Sequence, residues 1–348
     1  MFEIPLLLIL IVLVALVFDF TNGAHDCANA IATVVSTKVV TPRFAVGMAA
    51  ALNLAGALLG TEVAKTLGAG LVLPEVVQGS HILVLAALLG AIFWNCLTWY
   101  FGIPSSSSHA LIGGLVGAAL AHAGPEALNF AGIVNKVLLP LVLSPLAGFG
   151  VGFLIMWLIY WIFARVMRSK VNRIFRKMQL VSAAFMATSH GLNDAQKTMG
   201  IITLALFIFG EIDEVAVPLW VKLACAMAMA AGTAIGGWKI VKTMGHRIFK
   251  LEPVHGFAAE TSAALVISGA SVLGAPVSTT HTISACIFGV GSTKRLSAVR
   301  WTAGHGLGAD PARCGYRGLL FLLVAASDLE LDGYRLAGPL LKSPVLSS

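Results

Sequence analysis

Two polar motifs occur twice in this chain, in the same order and at nearly the same separation. That internal repeat restricts the folds open to it more than any other feature. Gly23, His25 and Asp26 of NGAHDCANA align with Gly191, Asn193 and Asp194 of HGLNDAQKT. Further on, Pro104, Ser106 and His109 of PSSSSHA align with Pro276, Ser278 and His281 of PVSTTHT. A chain built from two related halves is expected to bring the copies of each motif together where the halves meet.

The solvent for such a fold is set by its apolar tracts, since residues 44–60, 81–100, 137–163 and 215–236 carry almost no charge. Hydrophobic residues make up 58% of the chain and charged ones 11%, against roughly 25% charged in an ordinary soluble domain. A soluble all-α repeat protein would need a charged surface that this sequence cannot supply, so lipid is the implied surroundings. The net charge of +7 is concentrated: Arg165, Arg168, Lys170, Arg173, Arg176 and Lys177 lie between two apolar stretches with no acidic residue among them. By the positive-inside rule, residues 164–179 read as a basic cytoplasmic loop. Topology and lipid headgroups explain its charge better than nucleic acid does.

The loop divides the chain into a first repeat, 1–163, and a second, 180–301. With an odd number of crossings in each, the halves are inverted relative to one another. The first apolar stretch, Ile4 to Phe18, has no basic leader and no small-residue cleavage site, so it reads as a retained span. The five cysteines, Cys27, Cys96, Cys225, Cys286 and Cys314, show neither metal-ligand pairing nor disulfide spacing and are read as packing residues.

Residues 4–38 read as one long helix in which Asn22, His25, Asp26 and Asn29 share a face at i, i+3, i+4, i+7. Too few apolar residues precede Asp19 to cross a ~30 Å hydrocarbon core at ~1.5 Å each, so the polar face begins within the membrane. His190, Asn193, Asp194 and Lys197 repeat the spacing. Ionisable groups at that depth need partners or water and are functional candidates by default. The other motif pair opens with proline and a run of hydroxyls and continues as a short helix of small residues, a pattern that points to re-entrant hairpins. Hydroxyls and free N–H groups at a half-helix N-terminus favour an anion.

An intramembrane hydrolase using a serine from 105–108 with His109 or His281 is a competing reading. The serines lack an elbow motif, and catalysis does not call for duplicated hydroxyls. A channel is the other alternative, but asymmetric carboxylates and a lysine suit occlusion better than a permissive pore.

NGAHDCANA resembles the signature of the PiT family of phosphate transporters, usually seen as GANDVANA. HGLNDAQKT looks like its second copy, and PSSSSHA and PVSTTHT resemble the paired hairpin motifs. The likeness runs from about residue 5 to Trp301. It implies an all-α polytopic membrane protein of two inverted repeats with re-entrant helical hairpins, roughly ten to eleven inserted segments in all, in the inner (plasma) membrane. It also implies inorganic phosphate held by Asp26, Asn29 and Asp194 together with Ser105, Ser106, Ser107, Ser278, Thr279 and Thr280. Carboxylates beside hydroxyls can accept the protons of phosphate, which sulfate lacks.

His25 stands where the common signature has asparagine, and Gln196 and Lys197 replace its Ala-Asn pair. These departures resemble the bacterial low-affinity branch, which is proton-coupled and can take phosphate with a divalent metal ion as a neutral complex. His25, Asn193 and Lys197 are thereby the expected coupling residues, with sodium coupling as the alternative. Lysine has three donors and no acceptor, so it cannot ligate a cation; it would either take the cation's place beside Asp194 or snorkel to the membrane surface. No enzyme activity, cofactor or resident metal is expected; lipid is a partner, and homo-oligomers are compatible with the reading. After Trp301 the likeness stops, and residues 302–348 hold no apolar run long enough to cross, as a shifted reading frame would leave them, with an unusual soluble tail as the alternative.

Overall fold

The computed structural model describes residues 5–69, 81–246 and 250–294 and is all helical there. Helix α1, Leu6–Ser36, runs unbroken through the first polar motif, at ~1.5 Å per residue long enough to cross a bilayer. It ends where Lys38 turns into the left-handed region at φ 56°. Helix α2, Pro42–Ala57, starts at a Thr41 cap with proline in its first turn. It is followed by α3, Glu62–Ala69, bent from α2 by 70°. Next come α4, His81–Phe101, and α5, Ser107–Ala123. Helix α6, Phe130–Ile162, contains a π turn at Ile133–Leu138.

The second half repeats the sequence of shapes. Helix α7, Arg168–Ile208, is the counterpart of α1. Helices α8, Leu219–Ile235, and α9, Trp238–His246, form a pair bent by 72°. Helices α10, Pro253–Val272, and α11, Thr279–Ser292, mirror α4 and α5. Each hairpin turns in the same way. A glycine with positive φ ends the first arm (Gly102 at 67°, Gly274 at 70°), a conformation that costs glycine little. A serine then caps the second arm, Ser106 accepting from the His109 N–H and Ser278 from the His281 N–H. The counterpart of α6 would follow α11, outside the described residues.

The expected basic loop at 164–179 is for the most part helix, because α7 already begins at Arg168. Arginine and lysine are good helix formers, and no glycine or proline interrupts them. The halves therefore join through 163–167, and the charged stretch forms the first turns of α7.

The halves interleave rather than sit side by side. Helix α1 packs on α8, α7 on α2, and α6 on the α11 hairpin arm. Glycines allow the first two crossings: a Cβ on Gly23 would lie 2.3 Å from the Met229 carbonyl oxygen, and one on Gly191 2.1 Å from that of Asn53. Around the outside, Leu6, Leu13, Leu146, Leu154, Trp157 and Trp161 are exposed, while Asp19, Asn22, Asp26, Asn29, Asp194 and Lys197 are buried. Apolar outside and polar inside is the arrangement lipid requires. Among the described residues, three helices are long and apolar enough to cross a membrane, and two bent pairs pass the same test.

Candidate functional site

The polar faces of α1 and α7 meet at the centre, where the N-terminal ends of α5 and α11 also converge. Asp26 takes 2.6 Å contacts from the His25 Nδ1 and the Ser107 hydroxyl, the latter from the first hairpin tip. The Thr280 hydroxyl reaches it at 3.5 Å from the second tip. Asn29 donates through Nδ2 to the Thr279 and Thr280 hydroxyls at 3.1 and 2.9 Å. Thr279 in turn donates to Asp194 Oδ2 at 3.0 Å. One hydroxyl thus joins the first signature to the second through a hairpin tip.

Asp194 is flanked by two cationic or potentially cationic groups from its own helix. His190 Nε2 lies 3.0 Å from Oδ2, and the Lys197 ammonium pairs with Oδ1. Lys197 also donates to the Ser108 hydroxyl and, at 3.0 Å, to the Val277 carbonyl. It is buried within the protein, so it does not snorkel. His25 is held from its other side too, with Nε2 3.1 Å from the Thr98 hydroxyl and 3.4 Å from that of Ser105.

Of the residues expected from sequence, Asp26, Asn29, Ser107, Asp194, Lys197, Thr279 and Thr280 come together directly, and Ser105 joins through His25. The Ser106 and Ser278 hydroxyl oxygens serve as caps of α5 and α11. Asn193 faces away, donating to Ser271 at 2.9 Å. Sequence reasoning left out Ser108 and His190 as site residues. For His190 the signal was present in the shared helical spacing with Asp194.

A second buried cluster went unnoticed. Glu260 of α10 accepts from the Thr33 and Ser182 hydroxyls and, at 3.0 Å, from Gln179 Nε2. A lone acid in an apolar helix with no copy in the other half gives no repeat signal.

Chemically, the centre offers two carboxylates, one fixed ammonium, two imidazoles, several hydroxyls and two helix N-termini. The N-termini and hydroxyls suit a tetrahedral oxyanion, and the carboxylates suit its protons or an accompanying cation. One ligand atom each from Asp26, His190 and Asp194 lie within 4.8 Å of one another. A buried polar centre between two related halves, flanked by paired hairpins, is the arrangement of a membrane transporter.

The profile of the Phosphate transporter family matches residues 22–306, and the chain belongs to that family, a transporter family rather than an enzyme one. It is 50% identical over 298 residues to a "Probable low-affinity inorganic phosphate transporter" of Bacillus subtilis, covering 85% of this chain and 89% of that protein. A protein of the same description from Rhizobium meliloti is 50% identical over 297 residues, 85% of this chain and 88% of that one. The fold matches a solved structure described as "The sodium-dependent phosphate transporter", with a TM-score of 0.86 and 22% identity over 93% of this chain and 99% of the other. The protein is a multi-pass plasma-membrane transporter of inorganic phosphate.

Proposed function

We propose that this chain moves phosphate by proton-coupled symport, with the anion held between Asp26, Asn29 and Asp194 and the hydroxyls of Ser105, Ser107, Thr279 and Thr280. The observation that carries the reading is the buried Lys197 ammonium paired with Asp194. Asn29, the residue matching Lys197 in the first half, has a carbonyl oxygen of the kind that coordinates a hard cation. A tethered ammonium occupies the space such an ion would take and repels a second positive charge. His25, bridging Asp26 to Thr98, supplies a group able to pass a proton between the first carboxylate and the first hairpin.

Asp26, His190 and Asp194 also form a donor set suited to a divalent ion entering as cargo with the phosphate. Ser106 and Ser278 support the site through their helices and keep a hydroxyl proton for the anion. Asn193 acts through Ser271 on α10. Alternating access follows from rocking of the interleaved halves about this centre.

Uptake of labelled phosphate into proteoliposomes tests the reading. It should rise with an inward proton gradient, collapse with an uncoupler, ignore replacement of sodium by choline, and resist competition by sulfate. Strict dependence on sodium would overturn proton coupling; uptake of sulfate in place of phosphate would overturn the substrate.

A further inference from the structure

Along the face that carries the repeated motif, α1 stays polar further than its counterpart does. Asp19, Asn22, Asp26, Asn29, Thr33 and Thr37 follow one another at helical spacing along a single face, all buried. On α7 the equivalent face is polar only at its centre and becomes Ala187 at one end and Ile201 at the other. The repeat is symmetric where phosphate is expected and asymmetric beyond it.

The orientation of the stripe follows from its contacts. Thr37 donates to Gln179 near the start of α7, just after the basic segment that marks the cytoplasmic side. Asp19 faces Thr198 on the later part of α7, so the two helices are antiparallel and Asp19 lies on the external side. It sits two turns from Asp26, about 10 Å along the axis.

Asp19 is wholly buried, with the Thr198 hydroxyl as a loose hydrogen-bonding neighbour and no partner in close hydrogen-bond geometry among the described residues. The charged and titratable groups facing it are Asp194 and Lys197 from α7 and Cys225 from α8. Lys197 is already committed to Asp194. An ionisable group without a countercharge of its own inside a membrane span is a functional candidate. Both side-chain polar atoms of Asn22 and of Asn95, and the Thr198 hydroxyl, are likewise buried without partners among the described residues. Buried polar atoms of this kind are ones that water can serve.

We propose that Asp19 is the external proton-binding site of the transport cycle. When the external side opens, the proton comes from water of that compartment; when the protein opens inward, it leaves to cytoplasmic water by way of the stripe, and Asp19 returns as carboxylate. Asp26 lies two turns away along α1, and Asp19 makes no hydrogen bond to Asp194 or Lys197 among the described residues, so the anion keeps its own hydrogen-bonding groups when Asp19 changes charge.

The proposal rests on proton coupling, and the experiment separates the two. Wild type and Asp19→Asn are reconstituted, and two quantities are read: phosphate accumulation driven by an inward proton gradient, and exchange of labelled phosphate at equal concentrations without a gradient. Asp19→Asn should lose at least tenfold of the driven accumulation and keep exchange within about twofold. It should also lose the dependence of exchange on pH. If wild type ignores the proton gradient, proton coupling itself fails. If wild type is driven but Asp19→Asn accumulates equally well, coupling stands and Asp19 is not its site. Loss of exchange together with accumulation would mark Asp19 as a packing residue and also overturn the proposal.

Discussion

Lys197 lies one helical turn beyond Asp194, and the two form an ion pair buried within the protein. Removing the lysine strands a carboxylate that, among the described residues, keeps His190 and Thr279 as its partners. Breaking a buried pair from one side costs about 3–5 kcal/mol, because the surviving charge stays uncompensated. Lys197→Met is expected to abolish phosphate uptake and to lower the thermal unfolding temperature in detergent. Wild-type values of both would show that the pair contributes nothing.

The carboxylates themselves should be indispensable. Asp26→Asn and Asp194→Asn each keep side-chain size, so both proteins should insert normally and fail to transport. Uptake assays normalised to membrane-inserted protein provide the check, and wild-type uptake by either variant would return that aspartate to an inert role.

The two kinds of tip hydroxyl should separate kinetically. Thr279 links Asn29 to Asp194 across the halves, and loss of a hydrogen bond to a charged group costs roughly 1.5–3 kcal/mol. Thr279→Ala should raise the KM for phosphate by about ten- to a hundredfold. Ser106→Ala removes a helix cap, worth about 1 kcal/mol of stability, so its larger effect should fall on thermal unfolding. Equal KM effects from both would mean that capping and binding are not distinct.

The glycine crossings make a purely structural prediction. Gly191→Ala would press a methyl group into the Asn53 backbone and force α7 from α2, whereas a Cβ on Gly113 meets nothing within 4 Å. Thermal unfolding in detergent should therefore drop for Gly191→Ala and stay near wild type for Gly113→Ala. A tolerated Gly191→Ala would mean the helices can separate without loss.

Residues 302–348, the atypical tail, lie outside the described residues, and what they contribute is a proposal. Helix α6 packs on the second-half hairpin, so the symmetry asks for a span after α11 to pack on the first. No apolar run there is long enough. Reading the encoding DNA in its other two frames should reveal a segment of about twenty apolar residues after Trp301; if neither frame holds one, the shifted-frame explanation fails.

The sequence by itself determined the lipid surroundings, the two related halves, the long α1, the hairpins and most of the central residues. Those follow from composition and spacing, which report on each helix alone. Even Lys197 with Asp194 was legible, since residues three apart on a helix are neighbours whatever surrounds them. Spacing shows which face of a helix is polar but not which helix it meets. Asn29 meets Thr279 across 250 residues, and Thr33 meets Glu260 across 227. Those partners, the interleaving of the halves and the burial of Lys197 and Asp19 were decided by tertiary packing. Close glycine crossings hold the helices at separations where a particular hydroxyl reaches a particular carboxylate, and no local pattern in the chain encodes that distance.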